Sequence, residues 1–179
     1  MHETAQGLYH SLENQRWSFL DRGRTSSELT LPYVLPPDGH NYATKYYTPY
    51  QGIGARGVLN LSSKLLLALL PPNAPFFRLV IDRYELDKAK EDLGVEGAEQ
   101  LRTDLEKALA DVERSVSQEV EVQNFRNGIF QALKNLLITG NALLYLPDEG
   151  GMRTFKLDRY VVKRDPMGNV THIDVEESV

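Results

Sequence analysis

Three glycines in Gly52-Ile53-Gly54-Ala55-Arg56-Gly57 have the G-x-G-x-x-G spacing with which a tight turn and a helix N-terminus receive a dinucleotide pyrophosphate. That chemistry also needs a buried parallel strand ahead of the glycines and a second strand ending in an acid that holds the ribose. The helix is in place, and residues 76–81 followed by Asp82 imitate the second strand. The first strand is missing: Tyr47-Thr48-Pro49-Tyr50-Gln51 is polar, aromatic and broken by proline where an apolar run is required. The plainer reading is that small residues let a helix start pack tightly against a neighbour. A dinucleotide-binding enzyme acting through Gly52, Gly54 and Gly57 is kept as an alternative.

Other sources of chemistry are thin. Histidines stand at 2, 10, 40 and 172, with no pair at metal-ligand spacing and no H-E-x-x-H. There is no cysteine, which removes thiolate nucleophiles, thiolate metal ligands and disulfides together. Neither a P-loop nor a G-x-S-x-G elbow occurs. The acids Asp82 with Glu85, and Asp104 with Asp111, lie among basic neighbours on polar helix faces and read as solvated surface. No catalytic residue, metal or cofactor is therefore expected. Tyr42, Tyr46, Tyr47 and Tyr50, flanked by Lys45 and Arg56, have the aromatic-plus-basic composition that stacks on bases, so a small nucleic-acid-binding module is a second alternative. The same tyrosines suit a protein interface, and a net charge of -5 argues against a general phosphate-binding surface.

The elements that position these residues follow from periodicity. Helices are expected over about 3–29, 52–70, 84–120 (broken near Gly94 and Gly97) and 123–139, the last capped by Gly140. Pro32 stops the first, and Pro71-Pro72 ends the second. With only Arg56 and Lys64 charged in the 52–70 helix, most of its circumference should be buried. Leu101, Leu105, Leu109, Val112, Val116 and Val120 form one stripe on the third. Strands are expected at 76–81, as an inner strand, at 142–146 and across 153–175 with a turn at 165–169. Helices first and strands later give an α+β class. The start lacks the basic and apolar regions of a secretory signal, and no apolar run approaches the about 20 residues of a membrane span, so no membrane partner is expected.

One long stretch carries more. Residues 46–57, YYTPYQGIGARG, continuing as Leu61-Ser62-Ser63-Lys64-Leu65-Leu66-Leu67-Ala68-Leu69, closely resemble the head-to-tail connector, or portal, family of T7-like short-tailed bacteriophages. The resemblance continues through Phe77-Arg78-Leu79, Ala132-Leu133-Lys134, Gly140-Asn141-Ala142-Leu143-Leu144-Tyr145-Leu146-Pro147, Tyr160-Val161-Val162, Arg164-Asp165 and Gly168-Asn169-Val170. It implies a structural protein without enzymatic activity: a dodecameric ring at the unique capsid vertex, located in the virion and assembled in the host cytoplasm. DNA would be packaged through its channel by a terminase and later ejected. Implied partners are further copies of the chain, the major capsid or scaffold protein, the terminase, a tail adaptor, and double-stranded DNA passing without sequence recognition. Family members are several-fold longer, so the chain would be their N-terminal, wing-side part. Tyr46, Pro49, Gln51, Gly54, Arg56 and Lys64 are the expected inter-subunit or inter-segment contacts.

Overall fold

The computed structural model describes residues 4–41, 43–46, 51–72, 74–148 and 150–177. The chain divides into two units, one of Met1–Leu66 with Asn127–Val179 and the other of Leu67–Arg126.

The first unit begins with α1 (Ala5–Gln15), whose N-cap Thr4 accepts the Gly7 amide at 3.3 Å, and α2 (Trp17–Leu29). The single helix expected over 3–29 is therefore two, parted at Arg16 (φ -93°, ψ 4°). The side chain at the break is bound to remote backbone: the Arg16 guanidinium donates to the carbonyls of Leu157 and Tyr160, and to that of Asp158 at 3.1 Å. Periodicity cannot report a partner so distant in sequence.

After α2 the segment 31–35 turns inward and supplies both halves of the core. Leu35 joins Leu20, Leu157 and Tyr160 in one buried cluster. Leu31 and Val34 join Ile138 in a second, against which Ala55 and Val58 pack. Ser27, fully buried, fixes the turn: its hydroxyl donates to the Leu31 carbonyl at 2.8 Å and accepts the Leu35 amide at 3.0 Å. Both hydrogen-bonding roles of the hydroxyl are thus used where water is absent.

Helix α3 (Ile53–Leu69) and helix α5 (Phe125–Thr139) complete the helical part. Gly140, at φ 74°, caps α5 by donating its amide to the Leu136 carbonyl at 2.9 Å, a left-handed position that glycine occupies without strain. Two antiparallel hairpins follow. Strands β1 (Leu143–Tyr145) and β2 (Arg153–Phe155) pair with Leu144 opposite Thr154. A 3-10 turn, Leu157–Arg159, leads to β3 (Tyr160–Arg164), which pairs with β4 (Val170–Val175) so that Val162 faces Ile173. The turn between them is held by Asn169, whose amide donates to Asp165 Oδ1 at 2.8 Å and whose side chain donates to Oδ2 at 3.0 Å. Helices followed by small antiparallel hairpins make the α+β class expected from the sequence.

The second unit is built on α4 (Arg83–Val122), capped by Asp82, which accepts the Tyr84 amide at 3.1 Å. The helix kinks at Gly94 (φ 74°, ψ 172°), while Gly97 stays helical. The inner strand expected at 76–81 is not formed. Its β-branched and aromatic composition suits a strand, but among the described residues no strand lies alongside to complete a ladder; the Leu79 amide instead donates to the Glu113 carboxylate on α4 at 2.6 Å. Val80 is 82% exposed, so the segment is not an inner one either.

Candidate functional site

The glycine run opens α3, and the elements around it are not those of a dinucleotide site. No strand precedes it among the described residues of 31–52, and the expected second strand at 76–81 is absent. The three glycines also differ from one another. A Cβ on Gly54 would stand 2.7 Å from the Leu29 carbonyl oxygen and 3.1 Å from Thr30 Cγ2, whereas at Gly52 and Gly57 it would meet open space. Gly54 is there because the end of α2 crosses the start of α3 at backbone contact distance.

The remainder of α3 corrects the expectation of a mostly buried helix. Only Ser62 is fully enclosed, in line with Ala55 and Val58 on the side that meets the core. On the opposite side Ile53 is 69%, Leu61 46% and Leu67 56% exposed. The sequence makes α3 apolar nearly all round, but the described residues cover one side only. Exposed leucine and isoleucine grouped on one helix face form the kind of apolar patch that proteins commonly use for interaction.

The six candidate contact residues fall unevenly. Tyr46 stacks on His40 with ring centroids 4.2 Å apart and planes 13° from parallel. Gln51, Arg56 and Lys64 are exposed, the last two on α3. Gly54 packs within the chain, as described. Pro49 lies outside the described residues, as do Tyr42, Tyr47 and Tyr50. His10 pairs with Glu13 at 3.3 Å and His172 with Asp174 at 2.9 Å, and no three potential metal ligands converge among the described residues. Asp104 and Asp111 are exposed on α4.

Sequence reasoning missed three polar residues that organise the first unit. Arg16 and Ser27 are two; the third is Lys134, buried in α5. Its ammonium donates to the Tyr33 hydroxyl at 3.2 Å and lies 5.0 Å from the centre of the Phe130 ring and 5.5 Å from that of Tyr33. Two ring faces and a hydroxyl take the place of a carboxylate partner. The spacing of Phe130 and Lys134, one helical turn, was the only local signal. Burial raises the pKa of Tyr160 above its ordinary value, against an opposing pull from Arg16. Tyr9, whose hydroxyl donates to the Asp158 carbonyl at 3.4 Å, is likewise raised by burial.

Residues 2–176 match the family model described as bacteriophage head to tail connecting protein. The chain belongs to that family. Among curated relatives, the portal protein of Escherichia phage T7 is 36% identical over 98% of this chain and 32% of its own length. The portal protein of Enterobacteria phage T3 is 37% identical over 98% of this chain and 32% of its own length. That of Enterobacteria phage SP6 is 31% identical over 93% of this chain and 31% of its own length. The chain thus spans about a third of the length of the curated relatives it matches. The matched residues include the whole glycine run and the exposed face of α3.

Proposed function

We propose that the chain is the N-terminal, wing-side part of a portal protein, a structural connector that forms a dodecameric ring at the unique vertex of a phage capsid. The observation that carries this is the family match over nearly the whole chain together with relatives that are themselves named portal proteins. The exposed apolar face of α3 agrees with a chain that is covered by other subunits when assembled. In this role the protein acts as a conduit and not as a catalyst: a terminase drives double-stranded DNA through the channel into the head, and the DNA later leaves by the same path through the tail. Its partners are other copies of the chain, the major capsid or scaffold protein, the terminase and a tail adaptor. It assembles in the host cytoplasm and ends in the virion. A net charge of -5 suits a passage along which DNA slides without adhering.

Negative-stain imaging of the purified protein tests the reading. Rings with a central hole are expected; compact single subunits at every concentration would count against it.

A further inference from the structure

Two exposed faces on different helices of this chain are both apolar, and their helices differ in charge: α3 carries two bases and no acid, whereas residues 101–120 of α4 carry five acids and three bases. On α3, Ile53, Leu61 and Leu67 share the uncovered side with Lys64, and Arg56 borders it. No acid occurs anywhere in α3. On α4, Leu101, Leu105, Val112 and Val116, at steps of four, seven and four residues, lie along one stripe and remain exposed. The carboxylates of Asp104, Asp111 and Glu119 are exposed beside or among them. The spacing also corresponds: Arg56 and Lys64 are eight residues apart, as are Asp111 and Glu119, which at about 1.5 Å per residue places each pair roughly 12 Å apart along its helix. Asp111 meets Arg114 at 3.4 Å in an exposed pair, and Glu119 accepts from the Gln123 side chain. Such local surface contacts are weak and yield readily to a better partner.

We propose that the uncovered face of α3 in one copy docks on the stripe of α4 in the next, with Arg56 and Lys64 set against Asp111 and Glu119. The two faces differ, and every copy carries both. The contact is therefore heterologous: it repeats head to tail and closes into a ring where the rotation permits, instead of stopping at a two-fold dimer. The inference rests on the connector reading for the expectation that copies assemble, and it adds the surfaces that meet.

Charge reversal tests it. One variant is Arg56→Glu/Lys64→Glu, the other Asp111→Lys/Glu119→Lys; all four positions are exposed, so both variants should keep their helices by circular dichroism. Each variant alone sets like charges together across the contact and should associate about a hundredfold more weakly than the unaltered chain in sedimentation velocity. An equimolar mixture restores opposite charges at every contact and should recover the unaltered assembly. Assembly undiminished in both variants, or no recovery on mixing, overturns the pairing and leaves the connector reading in place. An unaltered chain that stays monomeric at every concentration overturns the ring itself, and the pairing with it.

Discussion

Gly54 shows how a single residue can resemble one function while serving another. Its place in a dinucleotide spacing is coincidental; what it provides is room, since a methyl group there would press on the Leu29 carbonyl at 2.7 Å. Gly54→Ala should destabilise the fold by about 1–3 kcal/mol, the usual cost of overpacking, in a denaturant unfolding curve, while Gly57→Ala should match or exceed the parent. Ser27 has a comparable effect by another route. Ser27→Ala leaves the buried Leu35 amide without its acceptor, a loss of about 1–3 kcal/mol. Two titrations carry opposite signs. Hydrogen bonds from Asn169 hold the Asp165 carboxyl below its ordinary value, so its contribution is present above the unfolded pKa and is lost as pH falls through the folded one. Asn169→Ala should move the Asp165 titration, followed by NMR, back up towards the usual carboxylate range. Burial raises Tyr160, so its contribution is present below the ordinary phenol value and disappears as pH rises through the higher folded one. Tyr160→Phe should soften the loss of stability at alkaline pH.

At the scale of elements, the junction at Arg16 and the kink at Gly94 are two places where backbone direction depends on one residue. Arg16 ties the α1–α2 break to three carbonyls around Leu157–Arg159. Arg16→Met should cost about 2 kcal/mol, within the range for hydrogen bonds to a charged group, and should raise amide exchange in α1 before the rest of the first unit. Gly94 adopts φ 74° with ψ 172°, a conformation that only glycine reaches easily. Both places also mark how far the sequence could be read. The helices were legible because apolar residues recur at three- and four-residue steps, and the end of α5 because Gly140 offers a left-handed cap. The division of α1 from α2 was not, since it depends on carbonyls some 140 residues away. The strand expected at 76–81 failed for a related reason: composition reports a preference for extended backbone, whereas a ladder needs a neighbour, and α4 offers a carboxylate instead. The candidate site was legible as a stretch of chain, from Tyr46 to Leu69, but not as a surface. Which side of α3 faces the core is decided by Leu31, Val34 and Ile138, residues that no local pattern connects to it.

For the whole molecule, the excess of uncovered apolar surface is the feature that the chain by itself does not explain. Ile53, Leu61 and Leu67 on α3, and Leu101, Leu105, Val112 and Val116 on α4, form helical faces that the described residues leave exposed. Under the proposal that the chain is part of a portal, these faces would be the contacts between copies, and a chain of modest negative charge would line a wall past which DNA moves. The claim that unites these points is location at a single vertex. Immunogold electron microscopy of phage particles, using an antibody raised against this chain, measures it directly. Label confined to one vertex of each particle, at the junction of head and tail, is the expected result; label spread over the capsid faces, or confined to the tail tip, would contradict it.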